Sequence, residues 1–239
     1  MNSSETQSDI DLREKVKELE RSNELSLLKE NKIKCIKKTL IVTYGISKWE
    51  AHYYATIIND FSSQYKIPWE IYAAIIRIES NFNGTLVSVK KAKGLMQILE
   101  STGKDEARII GMDYVEGQTL WNDVSNLVLG CNYLSRMIKN SDLEHGVKSY
   151  LGGPSYMVSI RGNKEIAQYV SEYKTNVWQE YRKLCFIFKG IVSDSNLDYY
   201  KIHEISNEML VKNDDLFVQN LIKDDPVDTL EFVDTLIKK

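Results

Sequence analysis

Hydrophobic positions along this chain recur mostly at three- and four-residue intervals, the spacing of helices that bury one face. A helical pattern runs from Ile10 to about Leu40, with Leu12, Val16 and Leu19 on one stripe that Asn23 and Ser26 continue. Acids dominate its first half and lysines its second, which complements the helix dipole. The pattern suits a weak coiled coil or docking helix, and equally a solvated helix packed on its own domain. Ser47 followed by Glu50 forms a capping box. It opens a helix whose Ala51, Tyr54, Ala55, Ile58 and Phe61 share a core-facing stripe. Pro68 suits a first helical position. The helix after it carries Ile71, Ala74, Ile75 and Ile78 on one stripe and Tyr72, Ile76 and Glu79 on its neighbour. Gly84, Ser88 and three lysines break residues 83–93, which read as a loop or a short β-ribbon. Further helices are expected over Met96–Ile109, interrupted or weakened by Gly103, over Asn122–Asn140 and over Lys164–Phe188, with Gly152-Gly153-Pro154 as a turn between helices.

After Gly190 the composition changes. Acid-rich amphipathic pieces at 197–211, 214–223 and 227–237 read as short helices that cover the domain or bind a partner. The expectation is a mainly α chain in three parts: a helical extension over 1–45, a domain over 46–189, and an acidic helical extension over 190–239. With 239 residues and 43% hydrophobic positions, there is enough chain for one substantial domain plus extensions.

The net charge of −3 hides an asymmetry. Residues 194–239 hold eleven acids against five bases, which leaves +3 on residues 1–193. That balance suits an anionic polymer without requiring one. No basic stripe is interleaved with aromatics, which argues against a nucleic-acid partner. Cys35, Cys131 and Cys185 are odd in number and widely spaced, and His52, His145 and His203 are scattered, so neither a disulfide framework nor a metal site is implied. No cofactor is implied either. Met1–Asp11 is polar, with no apolar segment of the kind a signal peptide needs, and no apolar run approaches a membrane span. A chain made in the cytoplasm is the expectation.

Glu79 is the residue with candidate chemistry. It lies near the C-terminal end of an apolar helix, with Tyr72, Ile76 and Phe82 close in sequence. Desolvation and the negative end of the helix dipole both disfavour a carboxylate there. Both raise its pKa toward the range a general acid needs to protonate a glycosidic oxygen. By residue type alone, a glutamate at a helix end is most often a solvated surface acid.

The surrounding residues change that weighting. The series Glu79-Ser80-x-Phe82, Ser88, Ala92, Gly94-Leu95-Met96-Gln97-Ile98 and Thr102 resembles the lytic transglycosylase family of goose-lysozyme-like fold. The series continues with Asn126-Leu127-x-x-Gly130-x-x-Tyr133-Leu134, Ser149-Tyr150-Leu151-Gly152-Gly153 and Tyr169-Val170, so the likeness covers roughly residues 55–185. The resemblance implies a helical lysozyme-like domain that cleaves the β-1,4 bond between N-acetylmuramic acid and N-acetylglucosamine in peptidoglycan. Glu79 would be the single acid/base, and a 1,6-anhydro end would form. Ser80 would orient Glu79 or the substrate, Met96 and Gln97 would line the cleft, and Tyr150 would hydrogen-bond near Glu79. By type alone, Met96 is equally a core residue, Tyr150 an aromatic packed beside a turn and Ser80 a helix-end polar group. Three positions depart from the family pattern: Lys91 stands for glycine, Glu100 for proline and Leu151 for asparagine.

No Asp or Glu lies between Glu79 and Gln97, where a goose-type lysozyme would be expected to place a second carboxylate. The gap favours a transglycosylase over a hydrolase. Since peptidoglycan lies outside the cytoplasm, the reading includes a carrier: a phage particle or a secretion apparatus, with 1–45 and 190–239 as docking segments. The alternatives are a non-catalytic glycan-binding or structural component on the same fold, and a muramidase.

Overall fold

A computed structural model describes residues 7–153, 163–199 and 201–202. Seven α-helices occur among them. In chain order these are α1 (Gln7–Tyr44), α2 (Lys48–Tyr65), α3 (Trp69–Ser80), α4 (Glu100–Ile110), α5 (Asp123–Lys139), α6 (Leu143–Gly152) and α7 (Lys164–Asp194), with a 3-10 turn at Thr119–Trp121. The mainly α fold class expected from the periodicity is the one observed.

The centre is α3. Trp69, Ile71, Tyr72, Ala73, Ala74, Ile75 and Ile76 are all enclosed. Trp69 meets Phe188 of α7 with ring centroids 5.1 Å apart, and the Tyr72 hydroxyl lies 2.7 Å from the Ser135 hydroxyl of α5. Helices α2, α5 and α7 therefore surround α3 and fix where its C-terminal end points. Truncating Ile75 to alanine is expected to cost about 2–5 kcal/mol, the usual range for a large-to-small core change.

The capping box forms as expected: the Glu50 amide donates to Ser47 Oγ at 3.2 Å, and the Ser47 amide to Glu50 Oε2 at 3.0 Å. Pro68 is the cap before α3, not its first helical residue. The first helix divides in two. Its opening turns expose Leu12, Val16, Leu19 and Leu27, whereas Cys35, Ile36 and Leu40 lie in the common core. The boundary expected after residue 189 falls inside α7, whose Ile191 and Val192 are still buried. The three acidic pieces expected after residue 196 fall largely outside the described residues.

Residues 83–93 are a loop, the first of the two forms expected; they carry the isolated bridge Val87–Lys93, and Lys93 bridges onward to Ile98. The expected start of the next helix is corrected. The helix expected from Met96 starts at Glu100. The reason is local: Gln97 takes a left-handed backbone, φ 48°, and the Ile98 amide is drawn back to the Lys93 carbonyl at 3.0 Å. Gly103 does not interrupt α4; it lets the Tyr114 ring approach the helix. No helix among the described residues is long and apolar enough to cross a membrane.

Candidate active site

Glu79 sits in the last turn of α3, where the helix stops at Asn81. Asn81 and Phe82 both adopt left-handed backbone, φ 55° and 60°. Two successive non-glycine residues in that region are unfavourable unless other contacts hold them. Here Arg77 donates to the Asn81 side chain, and the Phe82 ring packs against Tyr44 with centroids 4.6 Å apart. The chain is thereby turned sharply away just after Glu79.

The Glu79 carboxylate accepts one hydrogen bond among those described, from the Tyr173 hydroxyl of α7 at 2.6 Å. Burial pushes its pKa up from the ordinary carboxylate range to about 7, and the Tyr173 bond opposes that rise only in part. Among the described residues, no second carboxylate contributes to the shift. Burial raises the Tyr173 and Tyr150 phenols well above their usual range, and the nearby Glu79 carboxylate adds to it, so both are proton donors at neutral pH.

Tyr150, on α6, donates to the Met96 carbonyl at 2.7 Å. That bond ties the 94–97 turn to the neighbourhood of Glu79. Met96 is held on two further sides: its amide donates to Asn126 Oδ1 at 2.8 Å, and its sulfur lies 3.7 Å from that of Cys131. A Cβ at Gly130 would run into the Met96 side chain. The Met96 side chain is thus fully enclosed, and what it offers the site is its backbone. Asn126 also donates to the Lys93 and Leu120 carbonyls, at 2.9 and 3.0 Å. Gly94, at φ 75°, has no room for a side chain against that amide. This physically accounts for a glycine, a methionine and an asparagine at these spacings.

Gln97 is half-exposed, and its amide donates to the Leu86 and Gly94 carbonyls, each at 3.0 Å. That leaves Oε1 as the end able to accept from a ligand. Ser80 is buried and donates to the Ile76 carbonyl at 3.2 Å. Its hydroxyl closes the last turn of α3 beneath Glu79.

The three departures from the family pattern have local explanations. Lys91 takes φ 66°, the left-handed backbone for which glycine is the usual choice. Glu100 begins α4 and accepts from Lys93 at 2.8 Å, Tyr114 at 2.9 Å and the Gly117 amide at 2.9 Å, so it fastens the connector by bonds where a proline would stiffen it. Leu151 packs against the core.

Two contributors carry no role in the sequence reading. Tyr169 fits the closing motif but is 60% exposed; Tyr173, one turn on, makes the bond to Glu79. The signal for it is the i, i+4 repeat of tyrosines on one helix face. Asn126 enters the sequence reading only as part of a helix motif.

Residues 56–171 match the family described as Transglycosylase SLT domain. This segment belongs to the transglycosylase SLT family. The SLT segment spans every site residue above except Tyr173, two positions beyond it. A curated relative, the membrane-bound lytic murein transglycosylase E of Buchnera aphidicola subsp. Baizongia pistaciae (strain Bp), is 34% identical over 128 residues. The match covers 48% of this chain and 60% of that protein, so the chain spans less than two thirds of the relative's length. Among solved structures, an inactive mutant of the lytic transglycosylase Slt from Pseudomonas aeruginosa is similar at 19% identity and a TM-score of 0.46, over 68% of this chain and 27% of that one. The 70 kDa soluble lytic transglycosylase of Escherichia coli is similar at 18% identity and a TM-score of 0.43, over 70% and 31%.

A separate hollow of about 220 Å³ is lined by Gln64, Tyr65, Lys66, Ile67, Ser135, Ile138 and Lys139. Its residues 64–67 precede the start of α3, at the other end of that twelve-residue helix, roughly 18 Å long, from Glu79.

Proposed function

We propose that this chain is a peptidoglycan lytic transglycosylase with Glu79 as its only acid/base. The observation that carries the reading is the environment of Glu79: a carboxyl poised near pH 7, held by one tyrosine hydroxyl, with no second carboxylate acting on it among the described residues. In the protonated state Glu79 gives its proton to the oxygen linking N-acetylmuramic acid to N-acetylglucosamine. The bond from that oxygen to the muramic anomeric carbon breaks. The muramic 6-hydroxyl then attacks the anomeric carbon and returns its proton to Glu79. One carboxyl serves both steps, and a 1,6-anhydro end forms without water. A hydrolase of the usual two-carboxylate type needs a second acid beside the first.

The other site residues take the following roles in this proposal. Tyr173 orients Glu79 and steadies it when ionised. Tyr150 and Ser80 hold the backbone around it. Gln97, with Met96 behind it, presents the wall facing the sugar acetamides. The test is to digest purified murein with wild type and Glu79→Gln and identify the products by mass spectrometry. Anhydro-muropeptides from wild type alone support the proposal. Reducing ends would make the protein a muramidase. No release by wild type would favour a glycan-binding or structural component.

We further propose that the protein reaches the wall as part of a delivery apparatus, such as a phage tail or secretion machine. The support is the solvent-exposed first half of α1, whose Leu12, Val16 and Leu19 form an apolar stripe. Replacing these three by serine should abolish incorporation into such a particle and leave murein cleavage intact; unchanged incorporation would refute it.

A further inference from the structure

The turn at residues 88–91 stands outside the chemistry above, yet it is built as a presented surface on the wall of the site. It hangs from that wall by short links. Gln97 bonds the Leu86 carbonyl, Val87 bridges to Lys93, and Lys93 bridges to Ile98. Its own backbone is closed on itself. The Ser88 amide donates to the Ala92 carbonyl at 2.9 Å, the Lys91 amide to the Ser88 carbonyl at 2.9 Å, and the Ala92 amide to Ser88 Oγ at 3.0 Å. A turn fixed in this way loses little entropy when it binds.

What it presents is specific in chemistry. Val89 is 98% exposed at the apex, and Lys90 and Lys91 are exposed beside it. Lys93 is committed to Glu100, whereas no ion pair is formed by Lys90 or Lys91 among the described residues. No acid lies anywhere from Ser80 to Leu99 to neutralise the turn. Two ammonium groups without an ion pair among the described residues gain most from an anionic partner, a charge that sugar hydroxyls and acetamides do not supply. The peptide stems that hang from the muramic residues of peptidoglycan carry carboxylates and short aliphatic side chains, which match two cations around an exposed valine.

We propose that the 88–91 turn recognises the acidic peptide stems of the glycan strand, with Lys90 and Lys91 pairing with stem carboxylates and Val89 against their methyl groups. This rests on peptidoglycan being the substrate. The experiment uses full-length Glu79→Gln protein, so that binding is read without cleavage. Retention is measured on murein with free stem carboxylates and on the same murein after those carboxylates are converted to amides. Two partly exposed charge pairs predict roughly three- to tenfold tighter binding to the free acid form at low salt. The Lys90→Gln/Lys91→Gln double change should erase that difference, and Val89→Ser should weaken binding to both forms alike. Equal retention on the two mureins, or a preference that survives the double change, would overturn the proposal. So would a Val89→Ser protein that binds as well as its parent. Anionic phosphatidylglycerol vesicles are run in parallel; lysine-dependent binding to vesicles with no preference between the two mureins would reassign the turn to a membrane surface. Failure of the enzymatic reading is separately visible, since wild type would then release no anhydro-muropeptides while the binding comparison stayed readable.

Discussion

Glu106 is buried and Glu79 half-buried in this fold, and they are treated in opposite ways. Glu106, on α4, accepts from the Asn132 amide at 2.7 Å and is paired with Arg136 of α5. Glu79, at the end of α3, accepts one hydroxyl bond and has no cation as a partner in the described interactions. Burial raises the pKa of both; at Glu106 the Arg136 charge and the Asn132 bond pull it back, whereas at Glu79 only Tyr173 opposes the burial. A cation commits a buried carboxylate to its ionised form, and a hydroxyl leaves it free to gain and lose a proton. The first arrangement ties helices together, and the second suits an acid/base.

The largest expected effect comes from Glu79→Gln. General acid–base groups contribute about 10²–10⁴ in rate, so cleavage of murein should fall by at least about a hundredfold. Stability should move the other way. The folded carboxyl holds its proton to about pH 7, above its ordinary value near 4.5. The stabilising contribution is therefore complete below the unfolded value and is lost as pH rises through about 7. Glutamine carries no such penalty, so the variant should be more stable than wild type at pH 8 by about 1–3 kcal/mol, and no more stable at pH 4. A variant that melts lower than wild type at pH 8 would contradict burial as the cause of the raised pKa.

Glu106→Gln should show the reverse pattern. It leaves Arg136 without its counter-charge, a change expected to cost about 2–4 kcal/mol because the cation is partly solvated. Thermal melting should fall by roughly 5–10 °C, while the rate per folded molecule stays at the wild-type value. A large loss of rate at constant stability would mean that Glu106 belongs to the chemistry after all.

Third in size is Tyr173→Phe. Donation from a hydroxyl favours the carboxylate, so removing it should raise the Glu79 pKa further and move the alkaline limb of the rate profile upward by about one pH unit. The rate at its optimum should fall roughly tenfold as the carboxyl loses its anchor. An unmoved alkaline limb would show that Tyr173 does not set the protonation of Glu79.

The sequence makes one side of this comparison readable and hides the other. Glu79 stands out because it ends an apolar helix and opens a series of spaced motifs. The stripes of α2, α3 and α5 are legible because burial repeats at helical intervals. Glu106 is invisible: its partners lie 26 and 30 residues away, and long-range pairing leaves no periodic trace. The same limit hides Tyr173, 94 residues from Glu79. The late start of α4 escapes for a different reason. Residues 95–98 have ordinary helical propensities, and the bond from the Met96 amide to Asn126 and the Lys93–Ile98 bridge override them. The substitutions Lys91, Glu100 and Leu151 read as defects in sequence, whereas in the fold each has a backbone or packing role.

The finest distinction is between two tyrosines. Tyr173 reaches Glu79 directly; Tyr65 reaches Glu106 only through Asn132, whose Oδ1 accepts its hydroxyl at 2.9 Å. Tyr65→Phe therefore removes one neutral hydrogen bond and leaves the carboxylate with both its own partners. The cost should be about 1 kcal/mol, a fall of roughly 2–4 °C in melting. The rate profile should keep both its height and its alkaline limb, because nothing that touches Glu79 has changed. Running Tyr65→Phe beside Tyr173→Phe in the same buffers separates loss of packing from loss of proton control. If both shifted the alkaline limb alike, the two acids would be electrostatically coupled through α5 and α6, and their division into a structural and a reactive group would have to be given up.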